Sequence, residues 1–318
     1  MSFGTAMDGT IQRPHDQGAR DLARQKAGEL VHRTIRSDIL LSDWTQTDDD
    51  RFTLTLQWPE FHPFHTPLHG RHAPSLIAET IRQAGRLIAH AEYNVPLDHH
   101  FLMWDLNYTI EPDLAHTGQD DLPLLVDVTC SAIRRRGIQL TRMTCHMAIT
   151  RGGRLLATGF GSLTCTSPAA YRRLRGAQLG TVPAPELLDP VAPASVGRTD
   201  PANVVLAPTD HPRCWLLRAD LSNPTLFART GDHLPGMVLL EATHQAAIAA
   251  TAATTGGGFY PTSLSVVYDR YAEYGAPVMI EARPAGAAGD GSHTLHVTGH
   301  QQDQRVFFAL ISGISPSD

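Results

Sequence analysis

The chain has 318 residues, of which 42% are hydrophobic and 18% charged, and its formal net charge is -6. That length suits two domains of ordinary size, and that composition can bury a substantial core. The acidic balance gives no support for nucleic acid as a partner, and no apolar run approaches the roughly 20 residues that span a membrane.

The first 20 residues are polar and lack the apolar centre of a secretory leader. They are expected to be disordered, and a cytoplasmic location is the default expectation. A short helix is expected over 21–35. The alternating stretches Ile39 to Trp44 and Phe52 to Trp58, on either side of Asp48-Asp49-Asp50, predict a β-hairpin. A loop rich in His and Pro runs from Pro59 to Ala73, and an apolar helix then continues to about Ala91. Strands are predicted at Phe101 to Ile110, Leu124 to Arg134, Ile138 to Arg151 and Arg154 to Thr166, with turns at Arg136-Gly137 and Gly152-Gly153. From Ser167 the periodicity stops, and 167–202 reads as a linker with a short helix at its start. The order then restarts: a hairpin from Asn203 to Ala207 and Cys214 to Ala219, a loop, a helix ending at Gly256-Gly257-Gly258, and strands at Ser263 to Tyr271, Val278 to Ala282, His293 to His300 and Arg305 to Ser312.

The two helices carry the same signature. Pro74 opens the first, which contains Glu79, Arg82 and Gln83; Pro235-Gly236 opens the second, which contains Glu241, His244 and Gln245. Glu-x-x-x-Gln-Ala therefore occurs twice, 162 residues apart, in matching surroundings. This points to an internal duplication. A long helix wrapped by a curved antiparallel sheet, made twice, is an α+β double hotdog. The expected organisation is a tail and short helix over 1–37, a first repeat over 38–166, the linker, and a second repeat over 203–318. Pairing the repeats edge to edge would remove exposed strand edges.

Both glutamates sit among apolar neighbours, and a buried carboxylate is costly unless paired, protonated or used. Each is either a structural ion or a catalytic group. Arg82 shares a helix face with Glu79, so it either pairs with that carboxylate or holds a phosphate. Gln83 and Gln245 either orient the carboxylates or pack. Gly236 and Met237 offer helix-start N–H groups to an oxyanion, as do Ser75 and Leu76. His62, His65, His69 and His72 follow at spacings of 3, 4 and 3, but Pro63 and Pro67 break any helix that would align them and no acidic or Cys ligands accompany them. No metal is expected there; a mobile loop near the opposite helix is. Arg134, Arg135 and Arg136 form a basic turn, and Arg172, Arg173 and Arg175 a second basic cluster. Cys130, Cys145, Cys165 and Cys214 form no CxxC pair and read as reduced core or strand thiols.

The run Asp232-His233-Leu234-Pro235-Gly236-Met237-Val238-Leu239-Leu240-Glu241-Ala242 resembles the A-factor biosynthesis hotdog family, the γ-butyrolactone and furan autoregulator synthases of actinomycetes. Ala78-Glu79 to Arg82-Gln83-Ala84 is similar to that family's N-terminal motif. The resemblance covers most of 38–312. It implies an acyltransferase that moves a β-ketoacyl group from acyl carrier protein to the hydroxyl of dihydroxyacetone phosphate, on the way to a signalling butenolide, without a cofactor. It also implies that Glu241, Glu79 and His233 are the catalytic candidates. Arg82, Gln83, Gly236, Met237, His244, Gln245 and His72 would contact substrate, and Arg134, Arg135 and Arg136, or else the second basic cluster, would dock the acidic carrier protein. Glu241, in the more apolar helix, is the expected base, with a raised pKa; Glu79 with Arg82 would orient the phosphate-bearing acceptor. An acid–His pair often precedes the second motif in the family. Ala228 and Arg229 stand there in this chain, which leaves His233 or a histidine of the first loop for that role. The competing readings are a hotdog dehydratase or thioesterase and a noncatalytic sensor of acyl ligands.

Overall fold

The computed structural model describes residues 24–118, 122–180, 186–228, 231–255, 257–287 and 291–316. The expected disordered start, residues 181–185 of the linker and Arg229 lie outside them. Helix α1 covers 24–31, inside the predicted 21–35. The first half of the chain then forms β1 (Leu41–Asp48), β2 (Arg51–Leu56), helix α2 (Pro74–Ala91), β3 (His100–Ile110), β4 (Leu124–Arg136), β5 (Gln139–Arg151) and β6 (Arg154–Thr166). Helix α3 (Pro168–Arg175) follows. The second half forms β7 (Leu206–Pro208), β8 (Cys214–Leu217), helix α4 (Gly236–Thr255), β9 (Tyr260–Tyr268), β10 (Met279–Ala287), β11 (Ser292–Gln301) and β12 (Gln304–Ile314).

The twelve strands among the described residues make one antiparallel sheet in the order β1-β2-β4-β5-β6-β3-β9-β12-β11-β10-β8-β7. Read from either edge, the order is the same. The halves meet where β3 pairs with β9, from Asp105 opposite Val267 to Thr109 opposite Ser263. That junction hides one strand edge of each half and leaves β1 and β7 as the edges of the sheet. This is the double hotdog expected from the repeat.

Side-chain periodicity explains the layering. In β4, Leu124, Val126, Val128 and Cys130 point inward, while Leu125, Asp127 and Thr129 point out or sit at the margin. Helix α4 is buried on nearly every side, as a helix enclosed by sheet should be; Ala242, Ala246, Ala247 and Ala250 are buried in it, and so are Glu241, His244 and Gln245. Helices α2 and α4 touch each other inside the curved sheet. Several element boundaries differ from expectation; β10, for example, runs five residues past the expected Ala282, to Ala287. Asn203 ends a 3-10 turn rather than opening a strand, so β7 is only three residues long. Strand β9 begins at Tyr260, three residues early, because Pro261 is tolerated at a strand start, opposite Gly313 at a register shift.

Candidate active site

Each central helix carries a buried carboxylate held in the same way. Glu79 Oε1 accepts from Arg33 Nε (3.0 Å) and Nη2 (2.8 Å), Arg82 Nη2 (2.6 Å) and Gln83 Nε2 (2.7 Å); its Oε2 accepts from Arg82 Nε (2.7 Å). Glu241 Oε1 accepts from Arg198 Nε (3.2 Å) and Nη2 (2.5 Å) and from Gln245 Nε2 (2.7 Å). Each glutamine also bonds the backbone that leads into its own half's first strand. Gln83 accepts from Leu40 N–H and donates to the Asp38 carbonyl; Gln245 accepts from Val205 N–H and donates to the Asn203 carbonyl. Burial pushes both carboxyl pKa values up, but the guanidinium charges outweigh it. Arg33 and Arg82 hold Glu79 well below the usual range, and Arg198 with His244 holds Glu241 at about 2. The expected raised pKa of Glu241 is thus corrected, because a buried arginine that the helix sequence does not reveal sits on it.

Arg33 and Arg198 also lock the halves together. Arg33 Nη1 donates to the Thr225 carbonyl in the second half (2.6 Å), and Arg198 Nη1 donates to the Phe64 carbonyl in the first (2.7 Å). The loops they reach match as well. His62 Nδ1 accepts from Phe64 and His65 N–H, as Asn223 Oδ1 accepts from Thr225 and Leu226 N–H. His62 is therefore a loop-ordering side chain whose counterpart is an asparagine, and its Nε2 bonds Asp38 at 2.8 Å. The histidine loop does lie against the other half, but His62, His65 and His72 are buried within it. The arginines escaped the motif reading because they precede each half. A signal was available: Val31-x-Arg33-Thr34 before Asp38-Ile39-Leu40-Leu41 repeats as Val196-x-Arg198-Thr199 before Asn203-Val204-Val205-Leu206.

The two helix starts, so alike in sequence, face different spaces. The start of α4 opens on a cavity of about 810 Å³. Leu234, Pro235, Gly236 and Met237 line it, together with His233, Tyr268 and Tyr271; Arg33, Arg82 and Arg86 line it from the first half. The start of α2 opens on a space of only about 20 Å³, shared by Ser75, Arg198, Glu241 and His244. There the Tyr108 hydroxyl bonds His244 Nε2 at 2.6 Å, and His65 Nδ1 bonds Ser75 Oγ at 2.9 Å. Glu241 and His244 thus belong to the closed space, away from Gly236, five residues earlier on the same helix. Arg82 lines the open cavity, with Glu79 behind it as its ion-pair partner. His72 packs edge-on against Trp58 and lines neither space. Gln83 and Gln245 are tied to carboxylate and backbone.

His233 gains a partner that motif reading passed over. Its Nδ1 lies 2.8 Å from Asp232 Oδ1, which also accepts from the Tyr171 hydroxyl (2.6 Å). Arg175 Nε donates to Asp232 Oδ2 (2.7 Å), and its other nitrogens donate to Glu273 at 2.8 and 2.7 Å. Burial raises the Asp232 pKa, but the hydrogen bonds from Tyr171, Arg175 and His233 prevail and hold it at about 2. An ionised carboxylate only accepts, so Nδ1 carries the His233 proton and Nε2 is left as an acceptor. Burial, the largest influence, lowers the His233 pKa, so the ring is neutral at neutral pH. Arg175 is correspondingly buried and paired, which removes it from any docking surface. Arg134, Arg135 and Arg136 are exposed at the β4–β5 turn. The four cysteines are free; Cys130 and Cys145 face each other with sulfurs 3.8 Å apart.

A duplicated hotdog with one open helix start, His233 and the arginines Arg33, Arg82 and Arg86 around one apolar-walled cavity places the chain in the double-hotdog class. The sequence profile of the A-factor biosynthesis hotdog domain matches residues 15–167 and 180–309. The chain belongs to that family. It is 44% identical over 283 residues to the 2-oxo-3-(phosphooxy)propyl 3-oxoalkanoate synthase of Streptomyces virginiae, covering 89% of this chain and 95% of that one. The synthases of the same name from Streptomyces coelicolor and Streptomyces griseus are 43% and 37% identical, each over 287 residues, covering 89% and 90% of this chain and 90% and 94% of theirs. Among solved structures, the 12:0-ACP thioesterase of Umbellularia californica superposes with a TM-score of 0.50 at 9% identity, over 84% of this chain and 94% of that one. That likeness concerns the fold alone. Among the described residues no helix is long and apolar enough to cross a membrane.

Proposed function

We propose that the chain makes a 2-oxo-3-(phosphooxy)propyl 3-oxoalkanoate, the ester its relatives are named for, by moving a 3-oxoacyl group from a thioester to the hydroxyl of dihydroxyacetone phosphate. The observation that carries this reading is the convergence of the His233–Asp232 pair, the α4 start and Arg82 on one cavity. His233 Nε2 takes the hydroxyl proton as the oxygen attacks the thioester carbonyl. The N–H groups of Gly236 and Met237, in the first turn of α4 where no intrahelical partner exists, stabilise the oxyanion. Gly236 keeps the backbone uncovered there; a Cβ would meet Met103 Cε at 3.1 Å and the Tyr268 ring at 3.4 Å. As the C–O bond is completed the C–S bond breaks, and the proton on His233 passes to the departing thiolate. Asp232 orients the imidazole and offsets its transient charge. Arg82 engages Glu79 through Nε and Nη2, which leaves Nη1 for the phosphate, with Arg86 nearby on the same wall.

In this reading Glu241 is a structural ion. Glu241→Gln should lower the unfolding temperature, because Arg198 loses a buried counter-ion worth roughly 2–3 kcal/mol, while kcat stays within about threefold. A thousandfold fall in kcat in a folded variant would return Glu241 to the chemistry. The test of the reaction itself is mass spectrometry of products from a 3-oxoacyl thioester and dihydroxyacetone phosphate. The phosphorylated ester is expected; free 3-oxo acid alone, formed whether or not the acceptor is present, would make the protein a thioesterase.

Acyl carrier protein is the proposed donor, and its docking surface is the end of the sheet beside the cavity. Arg134 stands opposite Arg142 across β4–β5, and neither has an ion-pair partner among the described residues. Like charges directly opposite in an antiparallel pair are unfavourable, so an anionic partner would relieve them. Arg142 in turn neighbours Thr164, which lines the cavity along with the exposed His100 and Leu174. Arg134→Glu with Arg142→Glu should cut kcat/KM for a carrier-protein thioester about tenfold more than for a short thioester mimic. Equal losses with both substrates would remove the docking role.

A further inference from the structure

Two glycines line the cavity without a backbone reason to be glycine. Gly85 sits inside α2 and Gly161 inside β6, and neither has a left-handed φ. Glycine in a helix interior costs about 1 kcal/mol relative to alanine, and within a strand it forgoes packing. Crowding does not require glycine at Gly161, and at Gly85 it asks only a small yield of one flexible neighbour. A Cβ on Gly161 would meet its nearest atoms at 3.5 and 3.7 Å, in ordinary contact; one on Gly85 would meet a Leu163 methyl at 3.3 Å and Cys145 Sγ at 3.7 Å. Gly159 is the contrast: a Cβ there would fall 2.4 Å from Ile81 and 2.6 Å from the Asn107 carbonyl, so packing alone demands glycine.

The other half of the molecule shows what the same places hold when no cavity is kept. Counting from the matched glutamates, Gly85 corresponds to Ala247, which is fully buried. Ser162 bonds Thr144 across β5–β6 as Ser312 bonds Thr294 across β11–β12, so Gly161 corresponds to Ile311, also fully buried. Side chains fill the second half where the first half leaves space. The walls around that space are Ile81, Leu106, Cys145, Met147 and Leu163. They offer apolar surface and no charge, which suits the hydrocarbon end of the acyl group rather than the phosphate or the thioester.

We propose that Gly85 and Gly161 set the longest acyl tail the enzyme accepts, by leaving unfilled the volume that Ala247 and Ile311 fill in the other half. This rests on the acyl-transfer reading above, and the test separates the two. Gly161→Ile, which installs the residue of the other half, is titrated with 3-oxobutanoyl and 3-oxodecanoyl N-acetylcysteamine thioesters. Binding is followed by the fluorescence of Trp104, which lines the cavity, and ester formation by mass spectrometry. Each methylene kept out of apolar contact weakens binding about fourfold, so loss of room for two or more lowers the long-to-short affinity ratio at least about tenfold. If Gly161→Ile does not fold, Gly161→Ala carries the same test with an expected change of about fourfold. An unchanged ratio in a folded variant overturns the proposal even if the ester is formed. A lowered ratio with no ester from either protein supports it and removes the acceptor assignment instead.

Discussion

Replacing His233 by asparagine lowers kcat by about a thousandfold without unfolding the protein. General-base catalysis contributes about 10²–10⁴, and His233 is part-exposed at the cavity wall, so its truncation empties little of the core. The pH profile supplies the sharper reading. His233 accepts a proton only when neutral, and burial places its pKa below the ordinary 6.5. The wild-type rate should therefore hold through neutrality and fall as pH drops below about 6.5. Asp232 raises the His233 pKa; Asp232→Asn should move the acid limb to still lower pH and lower the plateau, since the imidazole is then a weaker base and is free to take the wrong tautomer. Steady-state kinetics across pH would show this. A His233→Asn enzyme within tenfold of wild type would exclude the imidazole as base, and an acid limb unmoved in Asp232→Asn would leave that carboxylate with a purely structural role.

Replacing Glu79 by glutamine is the most destabilising single change expected in the molecule. It leaves Arg33 and Arg82, both largely enclosed, without their closest carboxylate and with only Asp38, 3.8 Å from Arg33, as a buried counter-ion among the described residues. Breaking a buried pair by removing one partner costs about 3–5 kcal/mol, which is roughly 10 °C in the unfolding temperature for a protein of this size. Acid should act on the wild type by the same route. A carboxyl whose folded pKa lies below its unfolded value binds protons more weakly when folded. The stability it provides is complete above the unfolded value near 4.5 and is lost as pH falls towards the folded one. Glu241 behaves alike, losing its contribution between about 4.5 and about 2. Calorimetry between those pH values should show the unfolding temperature falling with acid, with a shallower slope in Glu79→Gln. A Glu79→Gln protein as stable as wild type at neutral pH would mean that the two arginines find other partners.

The duplication and the architecture were legible in the chain because they rest on local, periodic signals. Alternation along β4 and β5, Pro and Gly at the two helix starts, and Glu-x-x-x-Gln-Ala written twice each report on a few neighbouring residues. The family's signature around Gly236 is likewise contiguous. Chemistry at the helix starts was not legible in the same way. Glu241 stands in the more apolar run, and by local reading it should carry a raised pKa; Arg198, from a stretch that reads as a linker, arrives only through the fold and reverses the sign. The same holds for Arg175, which reads as part of a basic surface cluster and is buried against Asp232 and Glu273. Sequence by itself determined that there are two hotdogs, two carboxylates and one family. Only the tertiary structure decided which helix start is open, because that depends on whether space is filled from the opposite half. His65, Tyr108 and His244 close one side, and Gly85 with Gly161 leaves the other with room for a substrate.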